Sequence, residues 1–548
     1  MNTRIVAVIL AIASVSCATP RFANRAILWR DPDDGPSPRP ARRPDLSITW
    51  EGLRDAIFRP SHRALAIDHS TEARNVNALD ELPDSTWFID RRRDPTAPDD
   101  QPRWHPLAPE VAARGAAVDE PPVPPFTVLH EKSDGSALGF VVRDAHGVKY
   151  MFKLDPLGYP GLISSIEVVA TRLAWAAGWL VASDRLLDVN PADLKMAPDA
   201  WAADRWDRKR PFRREALDEL LAHSAHTDTV RVVASRWIEG DVLGWFSYLG
   251  RDRHDANDRV DHEDRRDLRG FGVWAAWVDD VDTFDNNTLD SYVGSPGAGH
   301  VVHYQQGLGA SFGRFAAKPS EYWMGQAPYF TVGSFFMSLG ALGLWPRPWE
   351  DQRLMNARAR EMLESPEFGF FDDEHFDPRR WQPVSQNPAF ARQTRRDRYW
   401  GAKQIVAYTP EEVRAAISAG QYRAPAAEHL FEVLWKRRQH IARELFSDVA
   451  PLDHFVLRGD QLCFEDLWLT AGLGGATDTS YAARVQSAGR SQTLPIDTAA
   501  RCVTVPPAAG YRVVELRAHR PGERHFGPAV LVHLVERPGS RHIVGVER

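Results

Sequence analysis

From Phe126 onward the chain carries short apolar runs at 127–130, 139–142 and 148–152, separated by turns that contain Gly135 and Gly147. Runs rich in β-branched and aromatic residues, bounded by glycine, predict an antiparallel meander. Next, Ile166, Val169, Ala170, Leu173 and Ala177 recur at helical spacing, which predicts a helix over about 164–177 with Gly178 as its stop. A polar helix and loop then lead to a predicted strand over 229–238. A second helix is predicted over about 262–278, with Leu268, Phe271, Ala275 and Val278 on one face. Beyond residue 340 the pattern is helical and ends in a long segment, 425–448, whose leading proline suits a first helical turn. Strand-like alternation returns over 511–516 and 529–534, after Gly472. No internal repeat of 20 to 50 residues is present.

Proline and charge divide these blocks. Closely spaced prolines and aspartates over 31–40 deny both helix and sheet, so residues 18–47 read as a disordered tether. Residues 48–125 read as an extension packed on the core, 126–240 and 241–472 as the two parts of the main body, and 473–548 as a small separate β module. The first seventeen residues have one charge at Arg4, an apolar run over 5–13, and small residues before Cys17. That is a signal peptide, since the run is far too short to span a bilayer. The segment 14–17 resembles the bacterial lipobox, with Ser14 in place of the usual Leu. The resemblance implies acylation of Cys17 and a lipid anchor in the cell envelope, on the outer membrane.

Composition narrows the class. The chain has 548 residues, 43% of them hydrophobic and 26% charged, with a net charge of −7, which excludes a wholly disordered chain and a basic nucleic-acid binder. Only eight of the 67 basic residues are lysine, so each lysine carries information. With Cys17 acylated, Cys463 and Cys502 remain. They stand 39 positions apart with no C-x-x-C, and two separate buried thiols are preferred here over one disulfide.

Three features occur in a fixed order: a glycine-bearing hairpin with Gly135 and Gly139, Lys153 ending a strand, and Glu167 in the next helix. That order resembles the first lobe of the protein kinase-like fold. The resemblance implies that the turn approaches phosphates, Lys153 contacts them, and Glu167 fixes Lys153 by an ion pair. Further on, Asp282 and Asn287 have the D-x-x-x-x-N spacing of a kinase catalytic loop, which implies a base or orienting carboxylate at Asp282 and a metal ligand at Asn287. Gly307 stands where the metal-binding Asp belongs, after the strand-like run 300–304. More widely, residues 75 to about 473 resemble a group of large exported bacterial proteins with an atypical HipA-like or lipid-kinase-like domain. The positions that carry this include Asn75, Asn77, Lys153-Leu154-Asp155-Pro156, Arg265-Arg266-Asp267-Leu268-Arg269-Gly270 and Phe464-Glu465-Asp466.

The expectation is therefore an α+β, bilobal kinase-like lipoprotein. An active form would use ATP with Mg or Mn, and the glycine at 307 points to a pseudokinase. From a different class, the alternative is an envelope binding or scaffold protein without chemistry. A third reading takes the G-x-S-x-G run 309–313 as a nucleophile elbow with Ser311 as the nucleophile, although Pro319 interrupts the helix that motif needs.

Overall fold

The computed structural model describes residues 21–22, 26–43, 70–118, 120–133, 135–204, 208–224, 227–320, 324–325, 332–342, 344–345, 367–487 and 489–548. Cys17, Asp134 and the stretch 44–69 lie outside the described residues. The architecture is mixed α+β, with sheets and helices in separate blocks.

The predicted meander is β1 (Phe126–Glu131), β2 (Gly139–Arg143) and β3 (Lys149–Leu154), paired antiparallel. Four further strands join it: β4 (Ser183–Val189), β5 (Leu194–Ala203), β6 (Lys209–Pro211) and β7 (Val230–Arg236). The order is β4-β7-β3-β2-β1-β5-β6, and only β1 and β5 run parallel. Phe140, Phe152, Leu154, Val230 and Val232 fill one face of this sheet, covered by Leu217 and Leu221. The sequence reading foresaw one strand between 178 and 238. It missed β4 to β6, whose half-exposed faces alternate too weakly to stand out.

Three helices contribute heavily to the largest apolar cluster. They are α1 (Ser164–Ala176), α2 (Arg266–Val278) and the long α3 (Ala424–Leu445), which has Pro425 in its first turn as expected. Both α1 and α2 were expected to be amphipathic, yet every residue of α2 is buried, as are twelve of the thirteen in α1. Each is packed on all sides, so its polar residues must find internal partners. A short sheet forms from β8 (Asp241–Gly244), before α2 in the chain, and β9 (Thr288–Val293) and β10 (His300–Gln305), after it.

In α2 the guanidinium groups of Arg266 and Arg269 are fully buried. Arg266 bonds Asp80 at 2.5 Å and Asp397 at 3.2 Å, while Arg269 bonds Asp397 at 2.9 Å and Asp264 at 2.8 Å. Asp397 also closes the capping box of the helix Arg395–Val406 with Thr394. Asn75 adds bonds to Asp267 and to the Arg266 backbone. Residues Asn75 and Asp80 are thereby held against α2.

Two expectations need correction. Residues 26–43 are not a free tether: Asp33 accepts from the Thr86 hydroxyl at 2.7 Å, Ser37 pairs with Gly299, and Arg43 binds Asp290 and Asp252. Cys463 and Cys502 form a disulfide. They face each other on neighbouring antiparallel strands, Gln461–Asp466 and Cys502–Thr504, with Cα atoms 4.0 Å apart. Sequence separation carries no information about such cross-strand neighbours. The same sheet crosses the expected boundary at 472, and Arg548 reaches back to Asp453 at 2.8 Å, so the C-terminal strands pack against the main body.

Replacing Asp397 by Ala leaves two buried guanidiniums without their shared carboxylate. The expected loss is about 3–5 kcal/mol of unfolding free energy in urea titration. A loss within the error of a surface variant would show that the cluster is not needed to hold α2.

Candidate functional site

Lys153 lies on the central strand β3, opposite Gly139 of β2 and Val233 of β7. Its neighbours Phe152 and Leu154 point into the sheet core, so the pleat turns Lys153 to the other face, toward α1. There its ammonium forms an ion pair with Glu167. The spacing between them is set by Asp155. This buried carboxylate accepts from the backbone N–H of Gly161, Ile163 and Ser164, each at 2.8 Å, and from the Ser164 hydroxyl at 2.7 Å. It thus fixes the loop from β3 and starts α1, a role that spacing alone did not reveal.

The glycine turn is explained by sheet geometry. A Cβ on Gly139 would lie 2.4 Å from the Phe152 carbonyl oxygen, so only glycine allows β2 and β3 to pair beside Lys153. Gly135 has a positive φ of 72°, at the tip of the hairpin.

Past α2, Asp279 ends the helix with a positive φ of 60°, and Asp280 tucks its N–H against the Ala275 carbonyl. Asp282 follows, and the turn Asp285–Asn287 brings Asn287 back so that its amide donates to the Asp282 carbonyl oxygen. Asn287 also hydrogen-bonds the Asp282 side chain. The predicted pair is therefore one closed loop. Gly307, with a positive φ of 68°, lies against it: a Cβ there would come within 2.5 Å of Asn287 Oδ1. The glycine at 307 is thus built into the loop packing, and any larger residue would displace Asn287.

Arg314 completes the cluster from the strand Arg314–Phe315. Its guanidinium and the Glu167 carboxylate converge over Gly309, whose Cβ position lies 2.9 Å from Arg314 Nη1 and 3.3 Å from Glu167 Oε2. Glu167, Asp282, Asp155 and Asp280 are the carboxylates that act on it, in that order. Burial pushes the Asp280 carboxyl up to about 8, with the Asp282 charge as the next cause. Burial likewise raises Asp282, against the opposing effects of Asn287 and Arg314. Asp184 on β4 is raised by burial and by Glu167, and it accepts from the Thr171 hydroxyl at 2.8 Å. The structure therefore brings Lys153, Glu167, Asp282 and Asn287 into one region. It adds Asp184 and Arg314, which no motif marked, and it gives Asp155 and Asp280 their places in the cluster.

These residues do not fit a divalent ion held in the expected way. Asn287 is tied to its own loop through the amide nitrogen and keeps its Oδ1 for a ligand role, but position 307 offers no ligand and the Arg314 guanidinium converges with Glu167 over Gly309. Among the described residues no group of three or more His, Cys, Asp or Glu side chains is arranged to hold a metal.

The hydrolase reading fails on geometry. Ser311 is fully buried, its hydroxyl donates to the Leu308 carbonyl at 2.8 Å, and a short strand rather than a helix follows it.

No protein-family model and no curated protein matches the chain. Among solved structures it is similar to a Golgi casein kinase with Mn and ADP bound, at 10% identity, covering 60% of this chain and 76% of that one. The TM-score is 0.24, a likeness too slight to carry an argument on its own.

Asp280 gives the site a pH signature. A carboxyl raised in the fold holds its proton more tightly folded than unfolded. Its contribution to stability is therefore complete near pH 4 and is lost as the pH rises toward 8. Asp280→Asn is expected to flatten the decline in stability between pH 5 and 8, by up to about 1.4 kcal/mol per pH unit at the steepest point. Urea unfolding across that range tests this, and parallel curves for the variant and the wild type would refute it.

Proposed function

We propose that the chain is an envelope lipoprotein whose two-lobed, kinase-like body binds a nucleotide and has lost efficient phosphoryl transfer. The observation that carries this reading is the Lys153–Glu167 ion pair, set between an interior strand and the next helix, with the Arg314 guanidinium converging on Glu167 over Gly309. In such a site Lys153 meets phosphate as a point charge, Glu167 holds it in place, and Asp282 orients an acceptor hydroxyl. Gly307 argues for binding without turnover, because a carboxylate at that point is needed to carry the metal and its charge.

A nucleotide that binds only the folded state at a hundredfold excess over Kd stabilises it by about 2.7 kcal/mol. Thermal unfolding of the full chain in detergent is expected to show such a shift with ATP, lost in Lys153→Ala, while phosphate transfer to a general acceptor stays at background. No shift with any nucleotide would sink this reading and leave the alternative, an envelope scaffold that binds its partner elsewhere.

The membrane side of the proposal rests on Cys17 as the acylated residue. It draws support from the helix Val332–Gly340 and the residues after it, where Phe336, Met337, Leu339, Leu342 and Leu344 are exposed. Apolar surface of this kind suits the interface of a bilayer. Among the described residues no helix is long and apolar enough to cross one. Cys17→Ser is expected to move the protein from the membrane to the soluble fraction of the envelope, read by fractionation. Labelled palmitate appearing equally in variant and wild type would rule Cys17 out.

A further inference from the structure

Arg314 is 7% exposed, and its Nε is buried with no hydrogen-bond partner among the described residues. Its Nη1 and the Glu167 carboxylate meet over Gly309, so Glu167 lies between the Lys153 ammonium on one side and this guanidinium on the other. Burial disfavours the charge on this guanidinium, and Glu167, Asp282, Asp155 and Asp280 support it through space, in that order. A buried cation set among carboxylates, with a donor unused, is the arrangement expected where an anion completes the site.

A divalent ion would need the same carboxylates and a ligand at 307, where Gly307 packs on Asn287. Arginine stays charged under all physiological conditions, and its fork of donors matches phosphate oxygens in pairs, which a point-charge metal does not require. We propose that Arg314 is the resident cation of this cleft in place of a divalent metal, and that the phosphates of a nucleoside di- or triphosphate bind between Lys153 and Arg314 with no metal ion. Two features that look unrelated then fit together: the missing carboxylate at 307 and the orphaned Nε of Arg314.

The inference rests on the nucleotide reading of the cleft, and calorimetry separates the two. The full chain in detergent is titrated with ATP and with ADP, first in EDTA and then with Mg or Mn. The expected result is binding in EDTA that weakens when excess Mg or Mn draws the nucleotide into its metal complex. In Arg314→Met, Kd should rise roughly tenfold or more, the effect of one lost hydrogen bond to a charged group, while Arg314→Lys keeps part of the affinity. Binding seen only with metal, or unchanged in Arg314→Met under EDTA, overturns the role of Arg314 and leaves nucleotide binding intact. No binding under any condition overturns both. Circular dichroism checks that the variants fold, and should Arg314→Met fail to fold, the wild-type comparison with and without EDTA decides alone.

Discussion

The fold depends on keeping two buried guanidinium groups neutralised. Arg266 and Arg269 lie on the inner helix α2, where water cannot reach them, and taking such charges out of water costs several kcal/mol each unless partners are fixed in place. The partners are Asp264, just before the helix, and Asp80 and Asp397 from two distant parts of the chain. Satisfying them forces the N-terminal extension and the helix Arg395–Val406 onto α2 together. A second knot beside the first ties Lys403 to Glu81 and Asp453, and Arg548 to Asp453. Polar groups thus set which segments meet, and apolar burial around Trp179, Trp274 and Trp277 supplies the driving force.

With α2 held, the loop that leaves it has little freedom. Asp280 bonds back to Ala275, Phe312 bonds the Val278 carbonyl, and Val281 bonds Ala310. The segment 308–314 therefore runs against the loop 278–282, and this brings Arg314 to Asp282. From the other side, Asp155 fixes β3 to α1 and hence Lys153 to Glu167. The cleft is the meeting of two rigid corners, each locked by a buried carboxylate or backbone bonds, so its charge pattern is pre-organised.

Much of this was legible in the sequence, where the signal was periodic. The meander β1–β3, both core helices and the long helix with Pro425 follow from apolar spacing and turn residues. Lys153 and Glu167 were found because a rare lysine stood at a strand end and a glutamate followed in the next helix. What stayed hidden depends on contacts far apart in the chain. The proline-rich stretch 26–43 has no regular structure, yet it is ordered by Arg43 against Asp252 and Asp290. The disulfide needed the register of two strands 39 residues apart. The full burial of α2 contradicts its amphipathic pattern because its arginines have two ionic partners, Asp80 and Asp397, that no local window contains.

Gly307 shows how a lost residue is read once its surroundings are known. From sequence it is only the absence of a carboxylate. In the structure its α-carbon lies against Asn287, and the guanidinium of Arg314 stands among the carboxylates that remain. A carboxylate restored at 307 would therefore meet a steric obstacle first, and it would add negative charge beside Glu167, Asp282 and Asp155. Burial already keeps the proton on Asp280 near neutral pH, a sign of how little further negative charge this region accepts. Position 307 is thus closed to a carboxylate both by packing and by charge, and its glycine belongs to the loop that Asn287 closes.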